Sequence, residues 1–323
     1  MNKAYAGIDL GGTNIKFGLV RTDGEPIIAR TVPSNASEGA ESILASLLEC
    51  GQELLLYADE NGFDIDYLGI GSPGTVDSER GRILGHSPNI PGWQDTEVSE
   101  KLSEKLNLPV HVDNDANVMA VAEVKFGAAR GYENVICTTV GTGIGGAVII
   151  AGQLVRGASY SAGELGHVPV VKDGKKCSCG LSGCVEAYAG ASGLLDILRE
   201  KALFSSSASK LAEDLKNGRE INIKELLNYY RSKDSLAIEV LDQQADYLAT
   251  GLVGSVHLLN PEAIVIGGGI ADGGGSGYVR LVSEKLKQRV FADAYRGLKV
   301  LKAELGNKAG FIGASVQREK LTS

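Results

Sequence analysis

YAGIDLGGTNIKFGLV, residues 5–20, reads as two strands joined by a glycine turn. Tyr5–Leu10 and Ile15–Val20 are mostly apolar, and Gly11-Gly12-Thr13 is short enough to close a hairpin. The design recurs in VICTTVGTGIGGAVII, residues 135–150. Val135–Val140 enters a glycine turn there and Ala147–Ile150 leaves it. A strand–glycine–strand unit used twice predicts two similar α/β halves with a cleft between them.

The rest of the chain alternates in the same way. A third strand is expected near Ala29–Val32, and further strands at Tyr67–Gly71, Val110–Val112, Ala263–Ile266 and Leu298–Ala303. Helical periodicity covers 38–61, 96–106, 116–126, 191–201, 223–230, 236–259, 278–290 and 309–320. FSSSASK, residues 204–210, is polar and reads as a mobile surface link. The expected boundary lies near Asp115–Ala116. It gives a small N-terminal domain, 1–115, and a large domain, 116–305, with the last helix, 306–323, returning to the first.

Composition narrows the function. The 323 residues carry a net charge of −8, which argues against nucleic acid or an anionic membrane as the main partner. The N-terminus lacks the apolar core of a signal peptide, because Asp9 interrupts it, and no apolar run approaches membrane-spanning length. Five cysteines, three of them clustered, do not form a disulfide framework, and Cys50 and Cys137 read as buried thiols. The expectation is a soluble cytoplasmic protein.

The glycine turns suggest phosphate binding. In Asp9-Leu-Gly-Gly-Thr a carboxylate stands before a turn whose N–H groups can hold phosphate oxygens, and Asp9 can organise Mg²⁺ through waters. A hairpin that simply needs glycine explains the same letters. GTGIGG, residues 141–146, matches G-x-G-x-x-G. A strand follows it where the dinucleotide fingerprint needs a helix, so that assignment fails. A P-loop motif is absent. A third cluster, IGGGIA at 266–271, makes a clamp for nucleotide the better reading: the first two turns for phosphates, the third for the adenosine side.

GELGHVPVVKDGKKCSCGLSGCVE, residues 163–186, carries the most specific chemistry. Cys177, Cys179 and Cys184 form C-x-C-x4-C, and His167 completes a tetrahedral zinc shell of three thiolates and one imidazole. A closed shell is structural and does not activate water. Glu164 and Glu186 bracket the set and are left over. DNDAN, residues 113–117, offers Asp113, Asn114, Asp115 and Asn117 at a strand–helix junction. Such a group supplies a general base or an Asx helix cap, which Asp113 or Asp115 would serve equally.

Together these motifs resemble the ROK family of bacterial sugar kinases and repressors, over nearly the whole chain. The resemblance implies the two-domain actin/hexokinase-like (ribonuclease H-like) fold with a central cleft. It implies ATP-dependent phosphorylation of D-glucose at the 6-hydroxyl, with Asp115 as the base. Sugar would be held by Gly74, Asn89, Asn114, Asp115, Glu164, His167 and Glu186. ATP would be held by Asp9, Gly11, Gly12, Thr13, Asn14, Gly141, Thr142, Gly143, Gly145, Gly268 and Gly269. Mg²⁺ would serve catalysis, and zinc would sit on His167, Cys177, Cys179 and Cys184. A homo-oligomer is also implied. Trp93, in the loop HSPNIPGW at 86–93, is expected to serve packing. Two positions depart from the family: Asn14 stands where lysine is common, and Tyr160 where a small residue is.

The same motifs serve kinases for N-acetylglucosamine, N-acetylmannosamine or fructose. A sugar-sensing repressor is the alternative of another class. With eight residues before Asp9, no helix-turn-helix is expected ahead of the first turn.

Overall fold

The computed structural model describes residues 2–85, 87, 90–204 and 209–321. The chain forms two compact units. One comprises Met1–Glu133, Val148–Ala162 and Asn307–Ser323, the other Asn134–Ala147 and Gly163–Gly306.

The first unit is built on a five-stranded sheet in the order Pro26–Pro33, Asn14–Val20, Tyr5–Leu10, Leu68–Ser72, Val110–Asn114. The first three strands are antiparallel neighbours, and the last two run parallel to Tyr5–Leu10. Alternation along Tyr5–Leu10 sorts the two faces. Ala6, Ile8 and Leu10 join a core with Ile43, Leu47 and Leu54 of the helix Ala40–Glu60. Gly7 and Asp9 meet the C-terminal helix Ala309–Ser315.

That second contact depends on missing side chains. A Cβ on Gly7 would strike the Phe311 carbonyl, and one on Gly69 the Ala314 carbonyl. Gly313 likewise lies against the Val118 carbonyl of the helix Asp115–Phe126. Backbone-to-backbone packing therefore holds both helices to the first unit. This division of the chain differs from one at Asp115–Ala116, because Asp115–Phe126 packs on Gly313 and residues 148–162 lie with the first unit.

The second sheet repeats the strand order of the first: Gln153–Val155, Ile144–Ile150, Val135–Val140, Ala263–Gly267, Lys299–Lys302. The chain leaves the second unit for the first within Ile144–Ile150. In the second unit the long helix Ser235–Leu259 buries Leu241, Leu248 and Leu252 completely. Gln244 is buried there too, and both ends of its amide are satisfied: it accepts from the Tyr278 hydroxyl at 2.8 Å and donates to the Ala189 carbonyl at 2.7 Å.

Three of the differences from sequence expectation bear on packing. The glycine-rich stretch before Tyr278 is helical, since one helix runs Gly269–Lys287 with a non-helical residue at Gly275. Tight packing demands two of those glycines: a Cβ on Gly273 would overlap Leu227, and one on Gly274 would overlap Tyr278. A short helix, Lys210–Lys216, is capped by the Ser209 hydroxyl, while residues 205–208 of the polar stretch lie outside the described residues. The C-terminal helix stops at Ser315. Among the described residues no helix is long and apolar enough to cross a membrane.

Candidate functional site

Three thiols and one imidazole converge in the second unit. One ligand atom from each of His167, Cys177, Cys179 and Cys184 lies within 4.8 Å of all the others. The folding of the loop is local. Cys177 donates its N–H to Leu181 O at 2.9 Å, Gly180 returns one to Cys177 O at 3.0 Å, and bridges at Lys176–Ser182 and Pro169–Cys184 close the knuckle. Gly183 sits at φ +83, against the Val171 carbonyl, a place for no other residue.

Two of the distances match a tetrahedral edge. Cys179 Sγ and Cys184 Sγ are 3.8 Å apart, and Cys177 Sγ is 3.8 Å from His167 Nδ1. A zinc–sulfur bond of about 2.3 Å gives a tetrahedral sulfur–sulfur edge of roughly 3.8 Å. A disulfide would need about 2.05 Å. The donor set, with its four ligand atoms within 4.8 Å of one another, is compatible with a structural zinc ion. With Nδ1 turned to the cysteines, the other ring nitrogen faces away: Nε2 lies 3.8 Å from Glu164 Oε2.

Glu186 begins a short helix, Glu186–Ala189, beside this knuckle. Its carboxylate is engaged on both sides. Oε2 accepts from the Ile144 N–H at 2.9 Å, and Oε1 from the Ser178 hydroxyl at 3.2 Å. The glycine turn is thereby tied to the cysteine loop. Within the turn, Gly141 N–H bonds Gly143 O at 3.0 Å, and Ala191 N–H bonds the carbonyls of Gly141 and Thr142 at 3.0 and 3.2 Å. Gly268, at φ +90, packs against the Val140 backbone and starts the next helix at Gly269. So Gly141, Thr142, Gly143, Gly268, Gly269 and Glu186 form one neighbourhood. Gly145 differs: its N–H bonds the Thr139 hydroxyl and its carbonyl accepts from Thr138, so the hairpin already uses both.

The first unit holds the other expected residues. Gly11 N–H closes the turn onto Asn14 O at 3.0 Å, and Gly12, Thr13 and Asn14 are exposed. Ser34 braces the turn through its N–H to Thr13 O and its hydroxyl to Gly12 O. Asp9 is half-buried beside the start of the C-terminal helix. Burial raises its carboxyl above the ordinary value, and Lys16 offsets part of this.

In DNDAN the roles divide. Asn114 is the helix cap, its Oδ1 accepting from Ala116 and Asn117 N–H at 2.9 and 3.3 Å. Its amide donates to Gly74 O at 3.0 Å, which brings two expected sugar contacts together. Asp113 is 1% exposed. Its Oδ1 accepts from Asn114 N–H and Asn117 Nδ2, and its Oδ2 from Arg156. Asp115, first residue of the helix, is exposed. Asn89 lies outside the described residues. The same loop is anchored by Ile90 and Trp93, both buried, and Trp93 donates its indole N–H to Ser72 Oγ at 3.0 Å. Tyr160 is half-buried at φ +59 in the loop after Arg156.

Two residues escaped the sequence reading. Arg156 carries no motif, and its partner is 43 positions away. Ser178 sits inside the cysteine motif as an apparent spacer.

Comparison with known proteins follows the same lines. The family model described as "ROK family" matches residues 5–319. Glucokinase of Thermotoga maritima is 35% identical over 318 residues, covering 98% of this chain and 97% of its own. A ROK family glucokinase from Streptomyces griseus, solved with glucose and AMPPNP, superposes with a TM-score of 0.83 at 32% identity, over 97% of this chain and 98% of that one. A ROK family transcriptional regulator homologous to the E. coli MLC protein superposes at 0.87 with 25% identity, over 99% of this chain and 79% of that one.

Proposed function

The chain belongs to the ROK family, and on that premise we propose that it transfers the γ-phosphoryl group of ATP to the 6-hydroxyl of D-glucose. Its fold is the actin/hexokinase-like one, and it is a hexokinase-type sugar kinase. The observation that carries the finer reading is the presentation of Asp115. It is an exposed carboxylate at the first position of a helix, between the buried Asp113, which is held by four donors, and the cap that Asn114 makes, and one of its oxygens accepts the Ala116 N–H at 2.8 Å.

Phosphoryl transfer to an alcohol needs little covalent help. It needs a group to take the hydroxyl proton, and donors aimed at the charge on the moving phosphoryl group. Asp115 takes the proton. Asn114 and Gly74 shape the surface beside it. Glu164, His167 and Glu186 accept or donate to the other sugar hydroxyls, and the N–H groups of turns 11–14 and 141–143 hold phosphate oxygens. Asp9 would hold Mg²⁺ through waters, and the ion would neutralise charge on the phosphates. Cys177, Cys179, Cys184 and His167 would hold a zinc ion whose role is to fix the loop, leaving His167 Nε2 in a defined direction.

A coupled ADP-release assay over D-glucose, D-fructose, N-acetylglucosamine and N-acetylmannosamine tests the reading. Glucose is expected to give the largest kcat/KM, and Asp115→Asn to lower kcat by about 10²–10⁴. A folded Asp115→Asn protein with near-normal turnover would refute it. The likeness to a transcriptional regulator supports a second reading, a sugar-responsive DNA-binding protein. A gel shift at physiological salt, with and without sugar, separates the two.

A further inference from the structure

We propose that Arg156 is a positioning residue for the reaction, acting through Asp113 on the turn that presents Asp115. The inference rests on Asp115 being the base.

Arg156 follows the strand Gln153–Val155 and reaches back to the strand Val110–Asn114. Its Nε and Nη2 lie 2.9 and 2.6 Å from a single oxygen, Oδ2 of Asp113. The other oxygen takes the Asn114 N–H at 2.7 Å and the Asn117 amide at 2.9 Å. One buried carboxylate thus receives four donors, two from the arginine and two from the turn itself. Rotating the carboxylate to suit a different partner on one side would break the bonds on the other. Arg156 consequently sets the orientation in which Asp113 grips Asn114 and Asn117, the residues on either side of Asp115 and Ala116.

The arginine is itself held. Its carbonyl accepts the Ala162 N–H at 3.0 Å, which closes residues 156–162 into a loop. Its side chain also borders two surface cavities of roughly 400 and 490 Å³, and lysine is the less bulky side chain.

Only the carboxylate of this pair is buried, and an ion pair with one half-exposed partner contributes little to stability alone. What it supplies is direction. Two N–H groups of a rigid planar fork specify where the acceptor stands, and a lysine ammonium does not. General-base catalysis is sensitive to that: a misplacement of about 1 Å costs up to about 10²-fold in rate.

The test uses the full chain with Arg156→Lys, Asp113→Asn, the double variant and Asp115→Asn. Initial rates give kcat and the KM for glucose and for ATP, per folded protein and well below each thermal midpoint. For Arg156→Lys we expect kcat lower by about 10- to 100-fold with both KM values within about threefold. In the Asp113→Asn background the same replacement should cost little more, because its route is already lost. Unchanged kcat with only a lower thermal midpoint would overturn the proposal, as would losses that multiply in the double variant. Arg156→Gln with Asp113→Asn removes both charges together and keeps the test open if a single variant fails to fold: near wild-type kcat in that pair would refute the role. The two readings fail separately. An active Asp115→Asn removes the base, whereas an inactive Asp115→Asn beside an unimpaired Arg156→Lys removes only the role of Arg156.

Discussion

Glu186 accepts a hydrogen bond from the backbone N–H of Ile144 at 2.9 Å, and so joins the loop that carries three cysteines to the glycine turn 141–143. The two bonded residues lie 42 positions apart in sequence, and the two motifs share one carboxylate. A Cβ on Gly143 would overlap that same carboxylate, so the glycine and the glutamate are fitted to each other.

The first prediction follows from this sharing. Glu186→Gln keeps the volume and removes the charge on both bonds. A hydrogen bond to a charged group contributes about 1.5–3 kcal/mol, which is roughly a 10- to 100-fold effect. The KM for ATP should therefore rise together with the KM for sugar, in a protein that still binds zinc. Steady-state kinetics with each substrate varied in turn checks this. A rise confined to sugar would mean that the bond to Ile144 does not shape the nucleotide side.

Removal of the metal is the second. The purified protein is expected to carry about one zinc per chain, because three thiolates and an imidazole close the shell. Cys179→Ser, or a strong chelator, should lower the thermal midpoint, at roughly 2–4 °C per kcal/mol for domains of this size. It should also weaken sugar binding, since His167 loses the bond that directs Nε2. Elemental analysis, a melting curve and the sugar KM decide it. An unaltered KM in folded, zinc-free protein would separate the metal from the site.

A third concerns pH and stability in the first unit. Burial lowers the His111 imidazole below its ordinary value of 6.5, and the charge of Arg318 lowers it further. Its ring packs edge-on to Tyr67 with centroids 5.2 Å apart. The folded state therefore binds the proton less well than the unfolded chain. This contribution to stability is present above pH 6.5 and is lost as pH falls through 6.5 toward the lower folded value. Unfolding free energies measured across that range should fall with pH for the wild type and fall less for His111→Phe. Parallel curves would show that His111 does not carry the dependence.

Much of this was legible in advance, for physical reasons. Hairpin strands announce themselves through short apolar runs around glycine, so the two hairpins at the centre of the sheets were readable from residues 5–20 and 135–150. Ligand chemistry is equally local, so Cys177, Cys179, Cys184 and His167 could be grouped by spacing. The glycines at 273 and 274 misled, because the same residue type serves a loop and a helix packed too tightly for a side chain. Asn114 as the cap, Ser178 on Glu186 and Arg156 on Asp113 are products of tertiary placement. Nothing in local spacing distinguishes the Asp113 that anchors from the Asp115 that is presented, and only the burial of one and exposure of the other does so.

The last prediction sets two glycines against each other. Gly313 touches the Val118 carbonyl so closely that a methyl group has no room, and both partners are backbone, which cannot rotate away. Gly313→Ala should therefore cost at least the 1–3 kcal/mol of ordinary overpacking and loosen the C-terminal helix from the helix Asp115–Phe126. A Cβ on Gly12 meets nothing within 4 Å, and the residue is exposed. Gly12→Ala should accordingly fold and melt like the wild type. If turn 11–14 receives phosphate oxygens through its N–H groups, the added methyl group stands where the nucleotide approaches, and the KM for ATP should rise while the melting curve stays in place. Denaturation and kinetics on the two variants give opposite patterns in that case. A Gly12→Ala protein with unchanged ATP kinetics would leave the first glycine turn a hairpin and nothing more.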